Sequence, residues 1–501
     1  MSNSPQQPSR RHFLSLAGIV AGSAALAACN TSPRTASGAQ TGAGNPTGGG
    51  TGGSGELKWW DQFQPLKDLQ EKTFSAFHAK GGPKVAYTVY NPNDQGKALQ
   101  LAFSSKQMPD VFSLAGVQSP PSVLQQQGWF SPLTNMDDIV KALPEGTVVD
   151  GVHQFDGKLY SFPTFSFRQY DALLWSNGKL LQKAGIDPKD QPKSWDDVRA
   201  QARKLKSAAG TSGMLLPLQF ADRMSAFVQQ LAQTAGFPGV QGIGRGDGLN
   251  VKTGEFAYDH DGFVQAIEFL LAFKKDGTLF PSSTSLDARA GRARWAAGGS
   301  GFFFDGPWNA GVVSGSFKQL LPDLAVTGIP TPDGSEPVIS HGPIGGTFWV
   351  SGQSDKTDKA SELMLMMAQS DYQSGLANAM DQPPLDLDAV AGSQAHDTYK
   401  QAIEMYKKQV FLGPTPEARN PKVTQVIGAM QPVEPGLGAI IQGVFSGQVK
   451  DLKGALKKLS DGTNAAREAA LKKVGGGLSA SDWAFPDWTP GKDFTAADYT
   501  K

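Results

Sequence analysis

The sequence predicts an α/β body divided into two packed lobes, with doubly wound and mostly parallel strands. Three observations predict it. The chain has 501 residues, more than one ordinary hydrophobic core accommodates. With 39% hydrophobic and 18% charged residues it has the composition of a globular chain. From Glu56 onward, short apolar strands alternate with amphipathic helices, the pattern of βαβ units.

The elements follow in order. ELKWW, residues 56–60, reads as a strand, and residues 66–79 as a helix with Leu66, Leu69, Phe74 and Phe77 on one face. A second strand covers residues 85–90, and Asn93 or Asp94 is expected to cap a helix carrying Leu99, Leu101, Ala102 and Phe103. VFSL forms the next strand. In HQFDGKLYSFP, Asp156-Gly157 suits a type I′ turn between two short strands. DALLW is another strand. Ser194 reads as the cap of a helix over 195–206, with Asp196 and Asp197 beside its positive dipole end. Helical periodicity returns at 262–275 and 288–297, and dominates from about residue 355 through 380 and again to 473. There is no internal repeat.

Charge excludes one class of partner. Lys plus Arg number 46 and Asp plus Glu number 46, interleaved without long single-sign runs, so nothing suits nucleic acid. The six histidines are scattered, with no metal-binding pair on one helix face. NPNDQG superficially resembles a calcium loop, but Ala102 stands where its bidentate glutamate belongs, so the segment reads as a helix cap. GIGRGDG, residues 242–248, matches neither dinucleotide nor P-loop spacing and reads as a surface turn. No G-x-S-x-G elbow appears. No cofactor and no metal are expected.

The first thirty residues carry their own message. Arg10 and Arg11 precede the apolar run 16–28, a stretch too short for a permanent span and suited to an export signal. SRRHFL resembles the twin-arginine export signal, with Ser15 where that signal usually has lysine. The sole cysteine, Cys29, ends LAAC, which resembles the bacterial lipoprotein lipobox. That resemblance implies acylation of its thiol and firm anchoring, each buried CH₂ contributing ~0.8 kcal/mol. Residues 30–55 are rich in Gly, Ser, Thr and Pro and read as a flexible tether. As a random coil such a tether spans roughly 25–30 Å.

Three stretches carry a wider resemblance. KQMPDVFSL resembles a "G-x-x-P-D-V" strand. GKLYSFPTFSFRQYDALLWSNGKLLQKAGIDPKDQPKSWDDVRAQARKL resembles a hairpin, hinge strand and "P-x-T/S-W-D-[DE]" helix start. GGSGFFFDGPWNAGVV resembles a "G-x-A-x-M-x-x-x-G-x-W" strand-to-helix turn, without its methionine. In all three the chain resembles the family-1 extracellular solute-binding proteins of ABC importers, and the resemblance runs from about Glu56 to Lys473.

The resemblance implies a type II periplasmic-binding-protein-like fold, with two lobes joined by a hinge and ligand held between them. The expected division is an export signal at 1–28, a tether at 29–55, and a first lobe from 56–164 and 306–375. The second lobe takes 165–305 and 376–480, and 481–501 form a tail whose aromatics cap a lobe. The function implied is capture of a sugar or oligosaccharide for a permease pair with its cytoplasmic ATPase. The protein would be an anchored monomer on the outer face of the cytoplasmic membrane. Alternatives are another polar solute (peptide, polyamine or metal complex) or a secreted carbohydrate-active enzyme, which needs two carboxylates facing one bond.

A sugar offers flat C–H patches and a rim of hydroxyls, so its site needs aromatic faces and directed polar groups. Residues at the expected turns supply both. Trp60 (or Trp59, since alternate strand residues point opposite ways), Asp61 and Gln62 lie at the end of the first strand, and Phe165, Ser166 and Arg168 lie at the first crossing between lobes. Phe220 and Asp222 follow LLPLQ; Trp308 stands where the family places a stacking tryptophan; Gly346 and Thr347 occupy a turn open to backbone approach.

Overall fold

Two four-stranded sheets, one to a lobe, organise the chain. The computed structural model describes residues 55–242 and 248–500. Cys29, Arg10, Arg11, the export signal, the tether up to residue 54 and the centre of the glycine-rich turn at 243–247 lie outside the described residues.

In the first sheet, Leu57–Asp61 lies between Val85–Val89 and Val111–Phe112, parallel to both. Trp349–Val350 closes the edge antiparallel to Val111–Phe112. Helix Lys67–Ala79 makes the first crossover and buries Phe74 and Phe77 against Trp59 and its neighbours. Alternate strand residues face opposite ways. Trp59 is accordingly sealed in this core while Trp60 faces the other side and is half-buried.

The second sheet runs Leu324–Thr327, Leu173–Asn177, Ser300–Asp305, Ser212–Leu215. Only its last two strands pair in parallel; Leu173–Asn177 is antiparallel to both neighbours. The expectation of a mostly parallel sheet therefore holds in the first lobe and not in the second. The reason is topological. A helix crossover returns the chain in parallel, but Leu173–Asn177 enters straight from the hinge, at the end where its neighbour Ser300–Asp305 finishes.

Among the described residues the chain passes between lobes three times. Phe165 belongs to the first core and Tyr170 to the second. Ile339–His341 pairs with Val410–Leu412 beside the second core, whereas Trp349–Val350 lies in the first sheet, so residues 342–348 cross back. Helices Thr357–Ala368 and Ser370–Ala379 bury Leu363, Met367, Tyr372 and Leu376 in the first core, whereas Ala377, Met380, Leu387 and Val390 join the second. This corrects the expected division at residue 306: pairing of Leu324–Thr327 and Ile339–His341 puts the stretch up to 341 in the second lobe. In the tail, Trp483, Phe485 and Trp488 are buried in the second core.

Local signals fared well. Asp156 and Gly157 both have positive φ between paired Gln154–Phe155 and Lys158–Leu159, as a type I′ turn requires. Ser194 and Asp197 form a reciprocal capping box. Helix Trp195–Lys204 gives way to a wider turn at Leu205–Ala209. One cap shifts. Asn91, not Asn93 or Asp94, accepts the first backbone N–H, because Pro92 suits the first helical position.

Candidate ligand-binding cleft

The first lobe presents the carboxyl end of Leu57–Asp61. Trp60 leans on Tyr90, ring centroids 4.9 Å apart. Gln62 accepts from the Ser113 hydroxyl, and Gln95 Nε2 donates to the Ser113 carbonyl and Oγ at 2.9 Å each. Asp61, expected at the ligand, turns inward instead. It is 0% exposed and accepts from Trp59 Nε1 at 2.9 Å, Tyr87 OH at 2.9 Å and the Phe63 N–H at 3.0 Å. Burial pushes its carboxyl up to about 7, against the pull of those hydrogen bonds.

The second lobe gathers an aromatic and basic cluster. Trp308 follows the strand Ser300–Asp305, and its Nε1 donates to Asp305 Oδ1 at 2.8 Å. The other oxygen of Asp305 takes Arg292 Nε at 2.6 Å, a buried pair. Glycine at 306 is required: a Cβ there would stand 2.3 Å from the Trp308 ring. Phe220 precedes helix Ala221–Thr234, and Asp222 is exposed in its first turn. Arg223, unanticipated from sequence, lies 4.5 Å over the Trp308 ring and 5.7 Å from that of Phe220. Asp171 holds it at 3.0 Å. The string FADRM carried the signal, since Arg223 follows Asp222 directly at a helix start.

The two lobes touch here. Gln118 Nε2 of the first lobe donates to Asp222 Oδ2 at 3.0 Å. Trp308, Phe220 and Asp222 thus share one face of the second lobe, and Asp222 meets the first lobe there.

Besides Asp61, five expected residues sit elsewhere. Phe165 is buried against Phe63 and bridges to Pro384, and the Ser166 N–H donates to the Pro383 carbonyl at 2.9 Å. Thr347 Oγ1 accepts from the Thr164 N–H at 2.9 Å, and its own N–H donates to the Phe162 carbonyl at 3.1 Å. Gly346 lies so close to Ser161 that a Cβ would fall 2.1 Å from its Oγ. Those four residues form the hinge, where the crossing segments lie side by side and consume their backbone groups. Arg168 points into the second lobe, pairing with Asp493 at 2.5 Å and donating to the Val410 carbonyl.

Among the described residues no group of three His, Cys, Asp or Glu is arranged to hold a metal ion. The comparisons agree with this architecture. Residues 60–374 match the model of the bacterial extracellular solute-binding protein family. The chain belongs to that family.

This solute-binding protein is 23% identical over 398 residues to the sn-glycerol-3-phosphate-binding periplasmic protein of Agrobacterium fabrum, covering 75% of this chain and 82% of that one. It is 24% identical over 320 residues to the diacetylchitobiose-binding protein of Streptomyces coelicolor, covering 62% and 68%. Among solved structures, an ABC transporter solute-binding protein of Thermotoga lettingae bound to α-D-tagatose superposes with TM-score 0.63 at 18% identity, over 83% of this chain and all of that one. The maltose-bound MalE3 protein of T. maritima gives 0.61 at 16% identity, over 81% and 98%. The fold is therefore the two-lobed fold of type II binding proteins, and the family binds solutes rather than transforming them.

Proposed function

We propose that this solute-binding protein is an exported lipoprotein that captures a sugar or oligosaccharide between its lobes and delivers it to an ABC importer. One observation carries the reading: the indole of Trp308, fixed by Asp305 and flanked by the Arg223 guanidinium, beside the point where Asp222 meets Gln118. A flat ring edged with directed donors and acceptors is what a pyranose needs. Trp308, Phe220, Asp222 and Arg223 would form one wall, Trp60 and Gln62 the other. Hinge residues Phe165, Ser166, Gly346 and Thr347 would set the angle between them. Relatives that bind diacetylchitobiose, tagatose and maltose favour the same ligand class.

Arg223 also suits a phosphate ester, because its contact with Asp171 uses one nitrogen of the guanidinium. A relative that binds sn-glycerol 3-phosphate gives that reading its weight.

A thermal-shift panel of tagatose, maltose, diacetylchitobiose and glycerol 3-phosphate tests both. Ligand at 100 times its Kd adds about 2.7 kcal/mol of apparent stability. A sugar should shift the transition. No shift with any compound, or turnover of an oligosaccharide, would overturn the proposal. For the anchor, Cys29→Ser should release the protein from membranes, and joint Arg10→Lys and Arg11→Lys substitution should block export. No helix of the described residues is long and apolar enough to cross a membrane, so the body offers no alternative helical anchor among them.

A further inference from the structure

Besides the hinge, the lobes meet at several places: helix Pro121–Gln126 of the first lies against Val423–Ala429 of the second, and elsewhere polar and charged side chains make the contact. Helix Pro92–Ser104 of the first lobe and helix Ala288–Ala296 of the second begin face to face, and their capping residues bond to each other. Asn91 Nδ2 donates to Asp287 Oδ2 at 3.4 Å, while Asp287 Oδ1 still caps its own helix through the Ala290 N–H at 2.7 Å. Two residues past that cap, Arg289 Nη2 reaches across to the backbone carbonyl of Tyr90 at 2.7 Å.

The electrostatics of that reach are mixed. Burial and the neighbouring Arg292 oppose the charge of Arg289, whereas Asp287 of its own lobe and Asp94 of the facing lobe favour it. The guanidinium is thus a cation of the second lobe attracted by a carbonyl and a carboxylate of the first. Tyr90 is also the ring on which Trp60 leans, so the contact ends beside the binding wall.

We propose that Arg289, seconded by the Asn91–Asp287 contact, is a latch that sets the fraction of molecules closed. Its bond exists only while the lobes are together, so it contributes to the closed form and nothing to the open one. A ligand enclosed between the lobes binds with an apparent Kd equal to its intrinsic value divided by the closed fraction. Arg289 therefore tunes affinity as a positioning residue, through the lobes rather than through the ligand. The inference rests on the two-lobed architecture alone and stands whether the solute is a sugar or not.

The test needs no ligand. Cys29 is the only cysteine, so full-length protein carrying Cys29→Ser accepts nitroxide labels at Gln100→Cys in the first lobe and Glu268→Cys in the second, both exposed positions. Pulsed electron paramagnetic resonance then reads the interlobe distance. Arg289→Ala should lower the closed-to-open ratio by about tenfold, the scale of one charge-assisted hydrogen bond. Arg294→Ala, on the exposed side of the same helix, should leave it unchanged.

A second variant guards against misfolding. Asn91→Asp keeps a good helix cap but sets a carboxylate against Asp287, and should open the lobes likewise. Adding Asp287→Asn should restore closure. Distance distributions identical to the parent in both Arg289→Ala and Asn91→Asp would overturn the latch. If Arg289→Ala fails to fold, the Asn91→Asp pair decides alone.

Discussion

The indole nitrogen of Trp308 donates to Asp305 at 2.8 Å, and that bond fixes the ring against Gly306. Asp305 in turn is anchored by Arg292 at 2.6 Å. A tryptophan so held has lost its rotamer freedom before any ligand arrives, which is the condition for a stacking platform.

Replacing Trp308 by alanine should therefore weaken sugar binding by roughly 1–3 kcal/mol, a factor of about 5–150 in Kd. The ring is only partly buried, so the melting temperature should move little. Titration calorimetry beside a melting curve separates the two effects. An unchanged Kd would remove Trp308 from the site.

Arg223 makes a sharper prediction because it has two roles. Its cation–π contact with Trp308 is worth about 0.5–2 kcal/mol, and it offsets the burial of Asp171. Burial, the foremost cause, raises the carboxyl of Asp171, and Arg223 lowers it. Arg223→Met leaves that carboxylate buried without its cation, so Asp171 takes a proton more readily. The variant should be destabilised more at pH 8 than at pH 5. Arg223→Lys keeps the charge but loses the planar stack, and should weaken ligand binding several-fold with a smaller loss of stability. Melting curves at the two pH values check the first claim, and calorimetry the second.

Much of the fold was legible because local chemistry decided it. The I′ turn at Asp156-Gly157 and the capping box at Ser194 are settled within a few residues, as is the alternation of Trp59 and Trp60. What sequence missed depends on contacts far apart along the chain. Nothing near Asp61 announces that Tyr87 and Gln70 will close over it. Nothing near Arg168 announces Asp493, 325 positions away. The same holds for the second lobe, where Leu324–Thr327 joins a sheet begun about 150 residues earlier. Trp308 stood out because its motif is local, and Arg223 did not because its partners, Trp308 and Asp171, lie far along the chain.

A buried acid cluster where lobes and hinge meet should make stability depend on pH. Asp61 and Asp381 are each pushed up to about 7, by burial first, and the charge of Asp61 acts on Asp381 in the same direction. Arg292 pulls Asp381 down and Asp305 pushes it up. Their unfolded values lie near 3.9. Between about 4 and 7 the native state therefore holds protons that the unfolded chain has released, and stability falls as pH rises through that window. His153 works the other way: burial holds it near 4, so stability is lost as pH falls below about 6.5. Asp381→Asn should flatten the acid-cluster contribution and raise the melting temperature at pH 8 relative to wild type, with little gain at pH 5. A variant whose difference from wild type is the same at both pH values would contradict this.

The tail offers the last test. Residues 481–500 lie along the second lobe, with Trp483, Phe485 and Trp488 each at most 5% exposed. Arg419 stacks on Phe485 at 4.0 Å and donates to the carbonyls of Ser481, Asp482 and Ala484. Asp493 accepts from the Leu412 N–H at 2.8 Å while pairing with Arg168, which stands two residues beyond the hinge residue Ser166. The tail is thus part of the second core and also braces the exit of the hinge. Each fully buried large apolar side chain contributes about 1.5–3 kcal/mol. A chain ending at residue 480 should therefore lose several kcal/mol of stability and show a much lower denaturant midpoint. Asp493→Asn is gentler: the pair with Arg168 is half-exposed, so its loss should cost at most about 1 kcal/mol. Denaturant titration of both proteins checks the ranking, and a truncated chain as stable as the full one would show that the tail merely lies on the surface.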